Sequence, residues 1–374
     1  MQVSHPSTTI SFFLTYFGGG GAERVLINLA NGFVKSGYQV DFVLGQAWGP
    51  HLKKIPSEIT VVDLKAAGSF ASIRKLAQYL KHKEPQALIS GMHFANEVAI
   101  LAKRLVKTNT VVIATEHNTL THSLRHNKNR KKRIIPFAIR LLYPWADRVV
   151  TVSQGATASL TEISSISPDK ITTIYNPVIA PDLFSKANAD IDHPWFQPGE
   201  PPVIIGVGKL EPQKDFPTLI RAFARVRKQL SCRLVILGWG PDLEKLKEFT
   251  AEMGVQDDVD LMGYVDNPYP YMARAQVFTL SSAWEGLPTV LIEALALGKP
   301  VVSTDCPSGP REILQGGKYG ALTPVGDDVA LAAAIGDVLG QQSQSDVSEW
   351  LHQFSIEAST NQYLDLINTL KTAA

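Results

Sequence analysis

Two carboxylates and two lysines carry the plainest chemistry in this chain. In SSAWEGLPTVLIEALALGKPVV, residues 281–302, Glu285 falls on a loop and Glu293 falls eight positions later inside the apolar run VLIEALAL. A carboxylate at Glu293 can accept hydrogen bonds from a ribose diol, and one at Glu285 can bind sugar hydroxyls. Gly286 leaves backbone N–H groups accessible to a leaving phosphate. A Glu on a helix is often simply solvated, but a lone charge within a buried-looking helix needs a partner. Upstream, VGKLEPQKDFPTLIRAF, residues 207–223, sets Lys209 at a strand end and Lys214 just before a helix opened by Asp215 and Pro217. Two lysines flanking a helix N-terminus form a pocket for a diphosphate. A solvated loop pair is the plainer alternative.

A third constellation is FGGGGAERVLINLA, residues 17–30, where Gly18, Gly19, Gly20 and Gly21 link a strand to a helix. Such a run lets backbone N–H groups approach a phosphate, and it is also what a plain tight turn looks like. It is not the dinucleotide fingerprint. The third small residue of that pattern would fall on Glu23 or Arg24, and Asp41 opens the second strand instead of ending it. Two D-x-D strings, Asp190–Asp192 and Asp258–Asp260, are read as coincidence, with no metal expected.

The elements that must position these residues alternate along the whole chain. Strand-like runs TISFFLTYF, VDFVLG, ITVVDL, ALISGM, TVVIATE and DRVVTVS are separated by amphipathic stretches such as AERVLINLANGFVKSG, with Gly37 as a C-cap. From about residue 203 the pattern repeats as VIIGVGKL, CRLVILGWG, VDLMGYV, VFTLSS and PVVSTDC. Short apolar strands between helices mean α/β units with doubly wound parallel sheets, whose ligands gather at the carboxyl ends of the strands. The expected division is an N-terminal Rossmann-like domain at 1–180, a Pro-rich linker at 181–202, a second Rossmann-like domain at 203–345, and C-terminal helices at 346–374 packing back on the first domain.

Composition agrees with two domains. The 374 residues suit that number at roughly 150 residues each. Hydrophobic residues at 45% and charged residues at 19% exclude a disordered chain. Thirty-six Lys and Arg against 35 Asp and Glu, a net charge of +1, exclude a globally basic nucleic-acid binder. Cys232 and Cys306 are too few for a disulfide framework or a four-cysteine zinc site, and read as buried thiols. No run approaches the ~18 apolar residues of a membrane span, and the apolar run Ile10 to Phe17 lacks the basic start of a signal peptide. The expected location is the cytoplasm.

Taken together, Glu285 and Glu293, preceded by Ser281-Ser282 and followed by Gly298-Lys299-Pro300-Val301, resemble the E-x7-E region of the retaining glycosyltransferases of family 4. GGAER at 20–24, VSQG at 152–155, YNPV at 175–178, VGKLEPQKD at 207–215 and GWGPDLEKL at 238–246 fall in that family's order, so the resemblance covers nearly the whole chain. It implies the GT-B fold, two Rossmann-like domains facing a cleft. The Gly18–Gly21 loop would lie under the donor diphosphate, which Lys209 and Lys214 would neutralise. Lys209 replaces an Arg found in many relatives and loses its bidentate fork. Glu285 would contact the donor sugar. Gly286 and Leu287 would offer N–H groups, and Glu293 would bind the ribose. Gly208, Gly238 and Gly240 would line the donor site, and His117 matches the family's His near donor sugar and acceptor. The segment CPSGPREIL, 306–314, resembles a variant of bacterial glycan-assembly transferases, in which Ser308, Gly309 and Glu312 would line the donor pocket.

The implied reaction transfers a hexosyl or N-acetylhexosaminyl group from a UDP- or GDP-sugar, UDP favoured, with retained configuration and without cofactor or metal. Residues 117–146 contain no Asp or Glu but carry Arg125, Lys128, Arg130, Lys131, Lys132, Arg133 and Arg140 among Ile, Phe, Leu, Tyr and Trp. That composition suits an interfacial segment on an anionic membrane, or a grip on a lipid-linked acceptor. A solvated basic face is the plainer reading. The expectation is a peripheral enzyme on the inner face of the membrane, acting on a lipid-linked or saccharide acceptor, without nucleic acid. A sugar-nucleotide epimerase and a non-catalytic sugar-nucleotide-binding partner are the competing readings.

Overall fold

The computed structural model describes residues 8–18, 20–121, 135–340 and 346–372. The chain divides into two compact units. One runs to Val178 and is rejoined from Gln353 onward; the other is Ile179–His352. The stretch read from sequence as a linker contains the short helix Leu183–Ala187 and counts with the second unit, where Asn267 Nδ2 donates to Lys186 O at 2.9 Å.

The first unit holds seven parallel strands: β1 (Thr9–Leu14), β2 (Gln39–Leu44), β3 (Thr60–Asp63), β4 (Ala87–Gly91), β5 (Val111–Glu116), β6 (Arg148–Thr151) and β7 (Ile171–Thr173), in the order β3-β2-β1-β4-β5-β6-β7. Both faces are covered, so its strands are apolar almost throughout. Alternation sends Ile10, Phe12 and Leu14 into one core with Leu26, Phe33, Tyr363 and Ile367, and Phe13 into the other with Val43, Leu76 and Ile139. The first core is closed by helices Gly21–Lys35 and Ile356–Thr372. Gly37, at φ +87°, turns the chain out of the first of these helices.

The second unit holds six parallel strands: β8 (Val203–Val207), β9 (Arg233–Leu237), β10 (Val259–Gly263), β11 (Val277–Leu280), β12 (Val301–Thr304) and β13 (Ala321–Thr323), in the order β10-β9-β8-β11-β12-β13. Ile204, Leu234, Ile236, Val277 and Val302 pack with Leu219, Phe223, Leu331 and Ile335 of helices Phe216–Arg227 and Asp328–Leu339. In each sheet the strand order reverses beside the first strand, between β1 and β4 and between β8 and β11. Those reversals open crevices at the strands' carboxyl ends, where open α/β sheets bind ligands.

Two helical glycines give opposite expectations. A Cβ on Gly32 would meet Thr360 Oγ1 at 1.9 Å and Ile356 Cγ2 at 2.9 Å, whereas one on Gly336 would meet nothing within 4 Å. Gly32→Ala should therefore lower stability by about 1–3 kcal/mol by overpacking. Gly336→Ala should raise it by about 0.5–1 kcal/mol. Urea unfolding midpoints of the two variants check both signs.

Candidate functional site

The crevice of the second unit gathers the lysine and carboxylate singled out from sequence. Lys214 Nζ lies 2.5 Å from Glu285 Oε1, with side-chain exposures of only 18% and 7%. An ion pair so far from water holds only if further hydrogen bonds satisfy it. Ser282 Oγ donates to Glu285 Oε1 at 2.7 Å, and Gln213 Nε2 donates to Glu285 Oε2 at 3.3 Å and to Trp284 O at 2.9 Å. Lys214 arrives from the loop after β8 and Glu285 from the loop after β11, the two strands flanking the switch point. Ser281 Oγ bonds Lys214 O at 2.8 Å and fixes one loop to the other.

Glycines set the approach distances. A Cβ on Gly208 would come within 3.2 Å of three carbons of the Lys214 stem; one on Gly238 would meet Gly208 O at 1.8 Å; one on Gly240 would meet Leu210 O at 2.4 Å. Gly238 and Gly240 therefore let the loops after β8 and β9 lie against each other, and Gly208 makes room for the Lys214 stem within its own loop. Asp215, at φ 44°, holds the N-cap position of helix Phe216–Arg227 without a side-chain bond to its N–H groups, and its carboxylate accepts from Thr218 Oγ1 at 2.7 Å. The loops after β11 and β12 are stitched in the same way. Glu285 N donates to Pro307 O at 2.7 Å, Ser308 N to Glu285 O at 3.2 Å, and Ser308 Oγ to Gly286 O at 2.8 Å. Gly309, at φ +99°, leaves room for Pro288, and Leu287 is buried. Cys306 lies behind this loop, and burial, reinforced by the Glu285 carboxylate, pushes its thiol well up, so it stays protonated.

Two further residues singled out from the sequence have partners of their own in the fold. Lys209 is 46% exposed, with Glu211 Oε1 at 4.0 Å. Glu293 is fully buried in helix Thr289–Ala296, where Tyr269 donates its hydroxyl at 3.2 Å. The partner that the sequence demanded for this charge is thus supplied by helix Tyr269–Arg274.

In the first unit, the glycine loop follows β1, and two of its donors have partners within the loop and helix. Gly18 N donates to Glu23 Oε1 at 3.2 Å and Gly20 N to Glu23 Oε2 at 2.9 Å. Glu23 is the third residue of the helix that Gly20 caps, so its carboxylate reaches back as in a capping box. Two of the N–H groups in this loop, those of Gly18 and Gly20, thus have this carboxylate as partner. Gly21 opens the helix, and Gly19 lies outside the described residues, as do Arg125, Lys128, Arg130, Lys131, Lys132 and Arg133.

His117 follows β5. Thr115 Oγ1 donates to Ser90 O at 2.7 Å, so its single proton is spent, and His117 Nε2 at 3.1 Å must be the donor to it. The Nδ1 atom is then an acceptor, sheltered from solvent and without a partner among the described residues. Burial lowers the imidazole pKa to about 4, so the ring is neutral near pH 7. Beside it lies a network that the sequence did not reveal. Glu116 accepts from Asn96 Nδ2 at 2.9 Å and from the Tyr143 hydroxyl, and Ser90 Oγ donates to Asn96 Oδ1 at 2.7 Å. Burial pushes the Glu116 carboxyl up to about 7 against the pull of those hydrogen bonds, and the nearby Glu97 adds to the rise. The one available signal was a carboxylate ending an otherwise apolar strand.

Two measurements test this electrostatics. Lys214→Met or Glu285→Gln alone leaves a buried group without its counter-ion, so each should cost about 3 kcal/mol, and the double variant should cost less than their sum. Additive losses in a denaturation double-mutant cycle would reject the coupling. For Glu116 the folded value lies above the ordinary 4.5, so its contribution is full below about pH 4.5 and lost as pH rises through about 7. Glu116→Gln removes that titration, so its Tm relative to wild type should climb from pH 5 to pH 8. A flat difference would contradict the raised pKa.

Comparison with known proteins extends these observations. The pattern of the family described as "Glycosyltransferase Family 4" matches residues 19–180, and that of "Glycosyl transferases group 1" matches residues 201–341. A Campylobacter jejuni N-acetylgalactosamine-N,N'-diacetylbacillosaminyl-diphospho-undecaprenol 4-alpha-N-acetylgalactosaminyltransferase is 34% identical over 65% of this chain and 64% of its own length. A second protein of that organism, named as an alpha-1,4-N-acetyl-D-galactosaminyltransferase on GalNAc-alpha-(1->4)-GalNAc-alpha-(1->3)-diNAcBac-PP-undecaprenol, is 26% identical over 97% of this chain and 99% of its own. The crystal structure of Anabaena HepE with UDP and glucose superposes with a TM-score of 0.73 at 19% identity, covering 97% of this chain and 100% of that one. Two parallel-sheet α/β units and this likeness to solved structures meet the expectation of the GT-B fold. With family patterns matched over residues 19–180 and 201–341, the chain belongs to the family 4 (group 1) glycosyltransferases.

Proposed function

We propose that this glycosyltransferase moves a hexosyl or N-acetylhexosaminyl residue from a UDP-sugar to a lipid-linked saccharide, with retention and without metal, in glycan or polysaccharide assembly. The observation that carries the reading is the buried Lys214–Glu285 pair at the second unit's switch point. The Lys214 ammonium, the exposed Lys209 and the N-terminus of helix Phe216–Arg227 supply the positive potential a departing diphosphate requires. Glu285 and the loop N–H groups suit a sugar. The anomeric C–O bond to the diphosphate breaks while the acceptor oxygen bonds the same face, and the acceptor proton passes to the leaving phosphate oxygen. The neutral His117 ring, uncharged near pH 7, suits an uncharged sugar better than a phosphate.

The donor and acceptor classes draw on the relatives: HepE was solved with UDP, and both Campylobacter enzymes are named for undecaprenol-linked saccharides. Metal independence is supported by the partners of the second D-x-D string, Asp258–Asp260. Asp258 pairs with Arg227 at 2.7 Å and with Arg233, and Asp260 accepts from His193 at 3.1 Å, so these carboxylates already have cationic or hydrogen-bonding partners. Among the described residues no helix is long and apolar enough to cross a membrane. Helix Ile135–Leu142, which follows the basic stretch, exposes Phe137 and Leu141, and Arg104 stacks on the exposed Trp145 at 4.9 Å. These features support peripheral docking on an anionic membrane's inner face.

A panel of UDP- and GDP-sugars assayed with an undecaprenyl-diphosphate saccharide tests the reading. Transfer should be fastest with one UDP-sugar, NMR should show the donor's anomeric configuration in the product, and EDTA should leave turnover unchanged. Lys214→Ala should lower kcat by about 10²–10³-fold. Release of free epimerised donor would favour the epimerase instead.

A further inference from the structure

Another feature at the first unit's strand ends has no part in the reading above. Tyr16 and Trp48 stack with ring centroids 4.9 Å apart and planes 6° apart, yet they remain 43% and 54% exposed. Aromatic rings of this size are normally among the largest contributors to a core. Here they stand on the carboxyl edge of the sheet, after β1 and β2.

The backbone holds them there. Pairing of β1 with β2 continues past the strands: Gly45 N donates to Leu14 O at 2.9 Å, Gln46 N to Thr15 O at 3.0 Å, and Phe17 N to Trp48 O at 3.1 Å. Alternation buries Phe17, whose ring meets Phe42 at 5.3 Å, and so turns Tyr16 the other way. Gly49, at φ +123°, passes so close to Phe17 O that a Cβ would lie 1.8 Å from it, and a Cβ on Gly18 would lie 3.2 Å from Tyr16 Cε2. The pair is therefore set before any ligand arrives, which lowers the ordering cost of binding.

The surroundings select the ligand. The loop beside Trp48 is polar: Gln46 is exposed, and the Asp63 carboxylate accepts from Ala47 N at 3.1 Å and Lys65 N at 2.9 Å. Two stacked rings with a phenol and an indole N–H offer an apolar face the size of one sugar ring, bordered by hydrogen-bonding groups. We propose that Tyr16 and Trp48 form a stacking subsite for one pyranose ring of the saccharide acceptor. The assignment rests on the transferase reading for its substrate class, and on the first unit's own geometry for its place.

The probes are the disaccharide GalNAc-α-1,4-GalNAc and UDP, titrated by calorimetry against wild type, Trp48→Ala, Tyr16→Ala and Trp48→Phe. Trp48→Ala should weaken disaccharide binding at least tenfold, and Trp48→Phe should stay within threefold of wild type. In transfer assays Trp48→Ala should raise the acceptor KM at least tenfold with kcat within threefold. Unchanged disaccharide affinity in both alanine variants would overturn the subsite. A fall in UDP affinity equal to the fall in disaccharide affinity would also overturn it, by assigning the pair to the nucleotide. If wild type transfers no sugar at all, the transferase reading fails, and the calorimetric comparison still judges the subsite.

Discussion

An ion pair withdrawn from water constrains the second unit more than any other contact. Lys214 and Glu285 are 71 residues apart in sequence and reach each other only because β8 and β11 are neighbours in the sheet. Removing both charges from solvent is costly, and the structure offsets this with Ser282, Gln213 and close glycine-mediated approaches around the Lys214 stem. The loops after β8, β9, β11 and β12 then have little freedom, since each is tied by side chain or backbone to the next. The positive end of this arrangement is rigid before any anion meets it.

The two units share a parallel-sheet plan but present different chemistry at their strand ends. The second offers fixed charge. Apart from its basic stretch, the first holds groups that are neutral or bonded within the fold: His117 unprotonated, Glu116 held toward its acid form, and Glu23 accepting from Gly18 and Gly20. An edge of hydroxyls, amides and aromatic faces suits an uncharged sugar better than a diphosphate. In the glycine run, the Gly18 and Gly20 donors help shape the turn.

Much of this was legible in the sequence because it is written in local pattern. Eleven strands announce themselves as apolar runs, and Glu285, Lys214 and Asp215 stand at strand and helix ends where ligand chemistry gathers. The edge strands β7 and β13 did not. Ile171–Thr173 and Ala321–Thr323 are three residues each, too short for a period of two to register, and pairing with a neighbour defines them. Side-chain partners from distant segments were equally hidden. Nothing near Glu116 in the sequence points to Asn96 or Tyr143, and nothing near Glu293 points to Tyr269, because topology alone brings them together. The bonds from Gly18 and Gly20 to Glu23 are local, five and three residues apart, and were missed because a phosphate-like reading of the glycines left the adjacent carboxylate without a task.

The return of helix Ile356–Thr372 to the first unit has a consequence for biogenesis. Tyr363 and Ile367 complete the core that also contains Phe12, Leu26 and Phe33, while the second unit lies wholly within the intervening segment. A ribosome working at about 5–20 residues per second emits the entire second unit before the last side chains of the first core emerge. The half begun earliest must therefore wait with apolar surface uncovered, whereas the half begun later can mature without delay. Chains released with an end just before residue 353 would accordingly present a finished carboxyl-proximal unit beside an open amino-proximal one, a natural client for chaperones that recognise uncovered apolar surface.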